Sequence, residues 1–246
     1  MFATKKKKEP KSSGLNAALE FLVRKEGGAD GKKTLKKLID SHQLVIGAHP
    51  EFMENPGKIH KELKELIENE GIWNFANNKS LCARRGAVAF GPPGYHYKAN
   101  KTLLEKRAPT LNNFVQFIES AYDETGKKLT GLWWTYYRSE TDVGDVVFVD
   151  LGSMKPHRDN LGGATDRVIA TLGECHTKGK QKRMSFGYVR KPKSKVWIDI
   201  HHGMYICLSK ESSGNSKFDG KYVQHGVENA EGTWTITMEF SLKQEV

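Results

Sequence analysis

From about residue 80 onward the chain is a succession of short apolar runs: "GAVAFG", "LTGLWWTYY", "DVVFVDLG", "RVIATLG", "RMSFGYV", "KVWIDI", "GMYICLS", "KYVQHGV" and "TWTITMEFSL". Clusters of Gly, Asp, Asn and Lys separate them, so each reads as a strand. One helical segment, "LNNFVQFIESAYDETG", interrupts the series. Many short strands at regular spacing leave few options: an antiparallel sandwich or a barrel-like jelly roll.

Ahead of these strands the apolar period lengthens to that of a helix. "LNAALEFLVRK" puts Leu15, Leu19, Leu22 and Val23 on one face, and "KKTLKKLIDSHQLVI" repeats the pattern after a Gly-rich break. "NPGKIHKELKELIENEGIW" is the clearest helix: Asn55 can cap it, Pro56 fits its first turn, and Ile59, Leu63, Leu66 and Ile67 form its apolar stripe. The expected fold is therefore mostly β with flanking helices (α+β), a double-stranded β-helix with a helical N-terminal layer on one outer face. Three segments are expected: a disordered basic tail over 1–13, a helical extension over 14–49, and a jelly-roll domain over 50–246.

Composition narrows the partners. The chain has 246 residues, 37% of them apolar, enough for a large core. No uncharged apolar run reaches the roughly 18 residues of a membrane span. "MFATKKKKEPKSSG" lacks the apolar segment of a secretory signal, so an intracellular location, nucleus or cytoplasm, is expected. "KKKK" within it reads as a nuclear import signal or a phosphate-attracting arm. Cys82, Cys175 and Cys207 are scattered, as reduced thiols are, and form neither a disulfide framework nor a zinc site. Lys and Arg exceed Asp and Glu by 39 − 29 = 10, which favours a polyanionic partner, DNA or RNA foremost.

The chemistry centres on "KPHRDN" at 155–160. A His-x-Asp at a strand end aims both side chains at one point, as two ligands of a divalent iron centre require. A facial triad needs a second histidine from a strand that returns beside the first. Two places compete: His225 in "VQHGV", and His201 with His202 at the end of "VWIDI". "HRD" also occurs in protein kinases, but the D-F-G and the glycine-rich loop with its lysine are missing.

Taken in order, "HRDN…DRVIATLGE…RMSFG…HHGMYICLS…YVQHGV…TWTITMEF" resembles the AlkB family of iron- and 2-oxoglutarate-dependent dioxygenases. Upstream, "ARRGAVAFGPPGYHY" at 83–97 is similar to that family's nucleotide-recognition hairpin, and "PEFMENPGKIHKELKELIENEGIW" to its opening helix. The likeness spans roughly residues 50–243. It implies Fe(II) held by His157, Asp159 and His225, with "HHG" marking the preceding turn. It also implies 2-oxoglutarate as cosubstrate, a flipped alkylated base as substrate, and substrate contacts from Arg84, Arg85, Tyr95 and Tyr97. The implied reaction is hydroxylation or demethylation of nucleic-acid bases.

The cosubstrate residues depart from the family pattern. "WWTYYR" supplies Tyr137, but Thr135 replaces the family's asparagine. Thr233 and Glu239 stand where two arginines are expected, and a glutamate cannot pair with a carboxylate. Another basic residue could hold the distal carboxylate, with Lys182 and Arg183 in "KQKRMSFG" foremost and Lys243 next. Alternatively the iron works with a different cosubstrate. A third reading is a catalytically silent AlkB-like module that binds nucleic acid or serves as an interaction subunit. The stretch "KGKQKRMSFGYVRKPKSK", with eight Lys or Arg residues, reads as a phosphate-contacting surface.

Overall fold

The computed structural model describes residues 29–49, 56–70, 87–90, 97–137, 153–159, 164–173, 175, 177–213 and 216–243. The expected strand "DVVFVDLG", the helix "LNAALEFLVRK", the basic tail and Cys82 lie outside the described residues. Five helices are used below: α1 (Ala29–Asp40), α2 (Pro56–Glu70), α3 (Tyr97–Arg107), α4 (Pro109–Asp123) and α5 (Lys210–Ser213). The strands are β1 (Leu44–Ala48), β2 (Ala87–Phe90), β3 (Lys127–Tyr137), β4 (Met154–His157), β5 (Asp166–Leu172), β6 (Arg183–Tyr188), β7 (Val196–Asp199), β8 (Met204–Ser209), β9 (Val223–Glu228) and β10 (Trp234–Leu242).

The strands pair as a nested hairpin. β6 pairs with β7, β5 with β8, β4 with β9 and β3 with β10, all antiparallel. Rolling that hairpin up adds the pairs β5·β10 and β6·β9, which divide it into two sheets. One has the order β1-β8-β5-β10-β3-β2 and the other β4-β9-β6-β7. This is the jelly roll that the spacing of short strands calls for, a double-stranded β-helix of α+β class.

Alternation along β10 separates the two cores. Trp234, Ile236, Met238 and Phe240 are buried on the outer face of the larger sheet, against Ile59 and Leu63 of α2 and Leu111, Phe114, Val115 and Ile118 of α4. These residues recur every third or fourth position, so each helix presents one apolar stripe. A second core fills the space between the sheets, with Met184, Phe186, Ile198, Ile206, Leu208, Val223 and Val227. Leu35 and Leu38 of α1 join this second core, so α1 packs beside β6 and not with the other helices. The inner residues of β10 are Thr235, Thr237 and Glu239, preceded by Thr233, all polar, and that face forms the floor of the site.

The run "KKTLKKLIDSHQLVI" is not one helix. His42 adopts a left-handed backbone (φ 56), with Gln43 N–H bonded to Leu38 O and His42 N–H to Ile39 O. That paired bonding closes α1 and redirects the chain. β-branched Val45 and Ile46 then pair with β8 as an edge strand. Two further elements carry weak sequence signals. α3 has a poorly segregated apolar pattern, and β4 reads "MKPH", a proline-containing edge strand.

β4 lies against β9 because Gly226 has no side chain. A Cβ there would stand 2.9 Å from Met154 O and 3.0 Å from Pro156 N. The register slips between Met154↔Val227 and His157↔His225, a bulge at the proline that turns His157 toward His225. Gly226→Ala is expected to push β4 away, costing about 1–3 kcal/mol of stability in urea unfolding. It should cost more in divalent-metal affinity than a surface Gly57→Ala control, whose Cβ would meet nothing within 4 Å.

Candidate metal centre

Three strand-borne donors converge at one end of the space between the sheets. His157 closes β4, Asp159 follows two residues later, and His225 lies directly across on β9. The two imidazole rings are 4.5 Å apart between centroids. Asp159 Oδ1 lies 3.6 Å from His157 Nε2, and its Oδ2 lies 3.5 Å from His225 Nε2. All three donor atoms fall within 4.8 Å of one another. Donors bound at about 2.1 Å to a common ion, at right angles, stand about 3 Å apart. The carboxylate oxygens, at 3.6 and 3.5 Å from the two imidazole nitrogens, stand slightly beyond that spacing.

The protonation states suit a cation. Burial pushes His225 down to about 4, against the pull of Asp159, so the ring is neutral at neutral pH with a lone pair to donate. Burial alone would raise the Asp159 pKa. The facing His157, His225 and Arg167 reverse that and hold the carboxyl well below the usual range. His225 Nδ1 is buried without a hydrogen-bond partner. His157 is 26% exposed while His225 is 4%, so the site opens on the His157 side. Two histidines and one carboxylate on one side of a point are the donor set of non-haem iron(II) centres. Among the described residues this is the one His/Cys/Asp/Glu cluster close enough to share an ion.

The floor leading away from the triad is polar. Arg167 on β5 binds Asp159 Oδ2 at 2.6 Å through Nη1 and Glu239 at 2.5 Å through Nη2. Arg167 and Glu239 face each other directly across β5 and β10. From Glu239 the floor runs along Thr237 and Thr235, with Thr135 of β3 and Thr171 of β5 in the cross-strand row of Thr235. At the far end Lys182 is buried, its Nζ donating to Thr235 Oγ1 at 2.9 Å and lying 5.3 Å from the centre of the Tyr137 ring. Burial brings its pKa down to about 7. Lys182 stands four residues before Phe186, the strand partner of His225, or about 13 Å of extended chain.

The cosubstrate candidates thus separate. Lys182, Thr135 and Tyr137 come together around the polar floor. Arg183 does not join them, because strand alternation turns consecutive residues to opposite faces. Its Nε and Nη2 both donate to Glu228 Oε2, at 3.1 and 2.8 Å, and the guanidinium lies 4.4 Å from the Trp197 ring centre. Lys243 pairs with Asp123 at the end of α4. His202 is buried in the turn before β8, where its Nδ1 accepts from Gly173 N–H at 2.8 Å, so of the two competing places only the β9 histidine faces His157. Arg84, Arg85 and Tyr95 lie outside the described residues. Tyr97 begins α3 and is not part of a hairpin.

Arg167 carries no motif signal in "DRVIATLGE". Its role follows only once β5 and β10 are aligned, which also explains Glu239 as the counter-ion of Arg167. Glu239→Gln removes one of the two carboxylates facing Arg167 and leaves its charge drawing on Asp159, which weakens that carboxylate as a donor. Cobalt(II) affinity, followed by visible absorption, is expected to fall about 10- to 100-fold. The neutral double variant R167Q/E239Q is expected to lose less than the sum of its parts.

No family model matches this sequence, and no curated protein matches it. Solved structures of similar shape include a Pseudomonas putida prolyl-4-hydroxylase, with TM-score 0.47 and 13% identity over 85% of this chain and 96% of that one. Another is a Trichoplax adhaerens prolyl hydroxylase in complex with a hypoxia inducible factor oxygen degradation domain peptide fragment, with TM-score 0.48 and 14% identity over 94% of each chain. Likeness at that distance assigns no activity to this chain.

Proposed function

We propose that this protein is an Fe(II)- and 2-oxoglutarate-dependent dioxygenase that hydroxylates or demethylates alkylated nucleic-acid bases. The observation that carries the proposal is the pairing of the His157–Asp159–His225 triad with a single buried ammonium, Lys182, at the far end of one polar floor. The donor set fits iron: neutral imidazole, ionised carboxylate and an open side. When bound, iron with 2-oxoglutarate would activate oxygen for attack on a C–H bond.

The chain's own groups set up that chemistry. His157, Asp159 and His225 fix the ion at one rim of the barrel. Lys182 is the group suited to the distal carboxylate of the cosubstrate, because it is buried and Thr235 aims its Nζ. The threonines of β10 and Thr135 offer hydroxyls along the length between. The Tyr137 ring closes the floor beside Lys182. Arg167 holds one carboxylate oxygen of Asp159 and so sets the orientation of the other.

Two features support a nucleic-acid substrate: the net charge of +10 and the exposed cations beside His157, taken up below. An enzyme that must accept a base out of its stack needs cations along the backbone path. The alternative, a silent module that binds nucleic acid or joins a complex, is separated by turnover. The full chain with Fe(II), 2-oxoglutarate and methylated oligonucleotides should release succinate. His225→Ala is expected to abolish it, whereas His202→Ala keeps it if folding is retained. Iron binding without a 2-oxoglutarate charge-transfer band under anaerobic conditions would support the silent module.

Lys182 gives a second test, read by pH. Unfolded, a lysine keeps its proton to about pH 10.5, whereas folded Lys182 releases it near 7. Between those values the unfolded chain binds the extra proton, so stability rises as pH increases from 7 toward 10. Lys182→Met removes that slope, and its stability advantage over the wild type should shrink over the same range in urea unfolding. A dicarboxylate bound at Lys182 restores the charge. Calorimetry at pH 8 in buffers of different ionisation enthalpy is therefore expected to show uptake of about one proton with 2-oxoglutarate. The Met variant should show none.

A further inference from the structure

We infer that Arg158, Lys217 and Tyr222 form a subsite for a backbone phosphate of a single nucleic-acid strand, at the rim of the metal centre. This rests on the nucleic-acid reading above and locates where the strand would be held. Arg158 sits between the two donors His157 and Asp159, and Tyr222 lies three residues before His225, about 10 Å along the chain. The segments that flank the ligand-bearing strands β4 and β9 therefore carry the subsite.

The cluster is built around one ring. The Arg158 guanidinium lies 4.4 Å from the Tyr222 ring centre and Lys217 Nζ 5.5 Å from it. Both cations are exposed. Neither has a carboxylate partner among the described residues. Asp159 is turned inward to Arg167, and Asp219 is held by Lys37 at 2.6 Å. An aromatic face limits where each long side chain swings, so two charges are held near one place without being neutralised. That arrangement suits an external anion. The planar guanidinium favours the oxygens of a phosphate, with the lysine as a second point charge.

The occupant is a strand and not an isolated anion, because the arrangement repeats. Lys221, also exposed, lies 4.9 Å from the ring centre of Tyr188 on the neighbouring strand β6. The next cations along the same sheet belong to the hairpin that carries Arg190, Lys191 and Lys193. A row of charges leading from the metal rim matches a polymer with one charge per unit. Such contacts position the substrate and read no sequence.

The test is anisotropy of a fluorescein-labelled, unmodified 12-nucleotide single strand on the full chain, over a range of salt. The double variant R158Q/K217Q is expected to bind about tenfold more weakly at 100 mM salt. Its salt slope should fall by roughly 0.7, the value for one lost phosphate contact of a single strand. Tyr222→Leu should weaken binding with the slope kept, and Tyr222→Phe should restore it. A control of equal charge, K58Q/K106Q on the helices behind the larger sheet, should leave the slope at the wild-type value and lose less affinity than R158Q/K217Q. Equal loss in both double variants, or none in R158Q/K217Q, would overturn the subsite. So would displacement of the oligonucleotide by poly-glutamate at equal charge concentration, which would make the surface a site for acidic polypeptides. Cobalt(II) and 2-oxoglutarate titrations of R158Q/K217Q separate this result from the dioxygenase reading, since they should match the wild type.

Discussion

The close approach of β4 to β9 is the constraint on which the site depends. β4 is a short edge strand that contains a proline, so few ladder hydrogen bonds hold it. Contact at Gly226 and a bulge at Pro156 put the His157 ring beside His225. Every other donor is then placed by the chain on either side: Asp159 two residues on, and Arg158 between them pointing outward to Tyr222. Moving β4 by an ångström would leave three separated polar side chains. The jelly roll itself would persist, because β3, β5 and β10 carry the outer core and β6, β7, β8 and β9 the inner one.

A polar interior is costly in a barrel of this size, and the way its cost is met indicates its use. Thr233 hydrogen-bonds the backbone at Ala230 O, Thr235 accepts from Lys182, and Arg167 is neutralised by Glu239. Each of these three groups therefore has a partner, whereas His225 Nδ1 in the triad has none. Lys182 is the exception in energy: among the described residues it faces a tyrosine ring and donates to a hydroxyl in place of a counter-ion. A buried ammonium without a carboxylate lowers stability unless something anionic arrives. The fold tolerates that loss because the hydrocarbon stem of the lysine continues the apolar line of Met184 and Phe186 on β6.

What the sequence made legible follows from which signals are local. Strand runs, the Ile59–Leu63 stripe of α2 and the His-x-Asp are local patterns, and among the described residues each lies where its pattern placed it. The choice of His225 over His202 needed the order of motifs, since periodicity treats the two alike. Arg167 was invisible for a stronger reason. Its meaning is a pairing between β5 and β10 that lie some seventy residues apart, and nothing in "DRVIATLGE" records that Glu239 stands opposite. Read alone, Glu239 looked like a deficit for carboxylate binding. In the folded chain it is what allows an arginine to remain buried beside a metal carboxylate. The same non-locality misled the reading of β1: apolar spacing continued the α1 pattern through Ile46, but a left-handed His42 ended the helix first.

The arrangement of charge along the interior then sets a direction. Negative and neutral donors gather at the rim, at Asp159 with its two imidazoles. The single buried cation that can lose its proton near neutrality stands at the other end. A molecule with carboxylates at both ends of a short chain can bridge the two, one end on the metal and the other on Lys182. A monocarboxylate satisfies one end and leaves the other charge unpaired. Selectivity for a dicarboxylate would thus come from length, fixed by the separation of His225 and Lys182 on adjacent strands, and not from recognition of the atoms between. It would also couple to pH, because the far anchor is charged only when its partner arrives or the solution is acidic enough. An arginine at that position would stay charged at every pH. The lysine makes the cavity less hostile to folding when empty and lets the arriving carboxylate restore the charge that holds it.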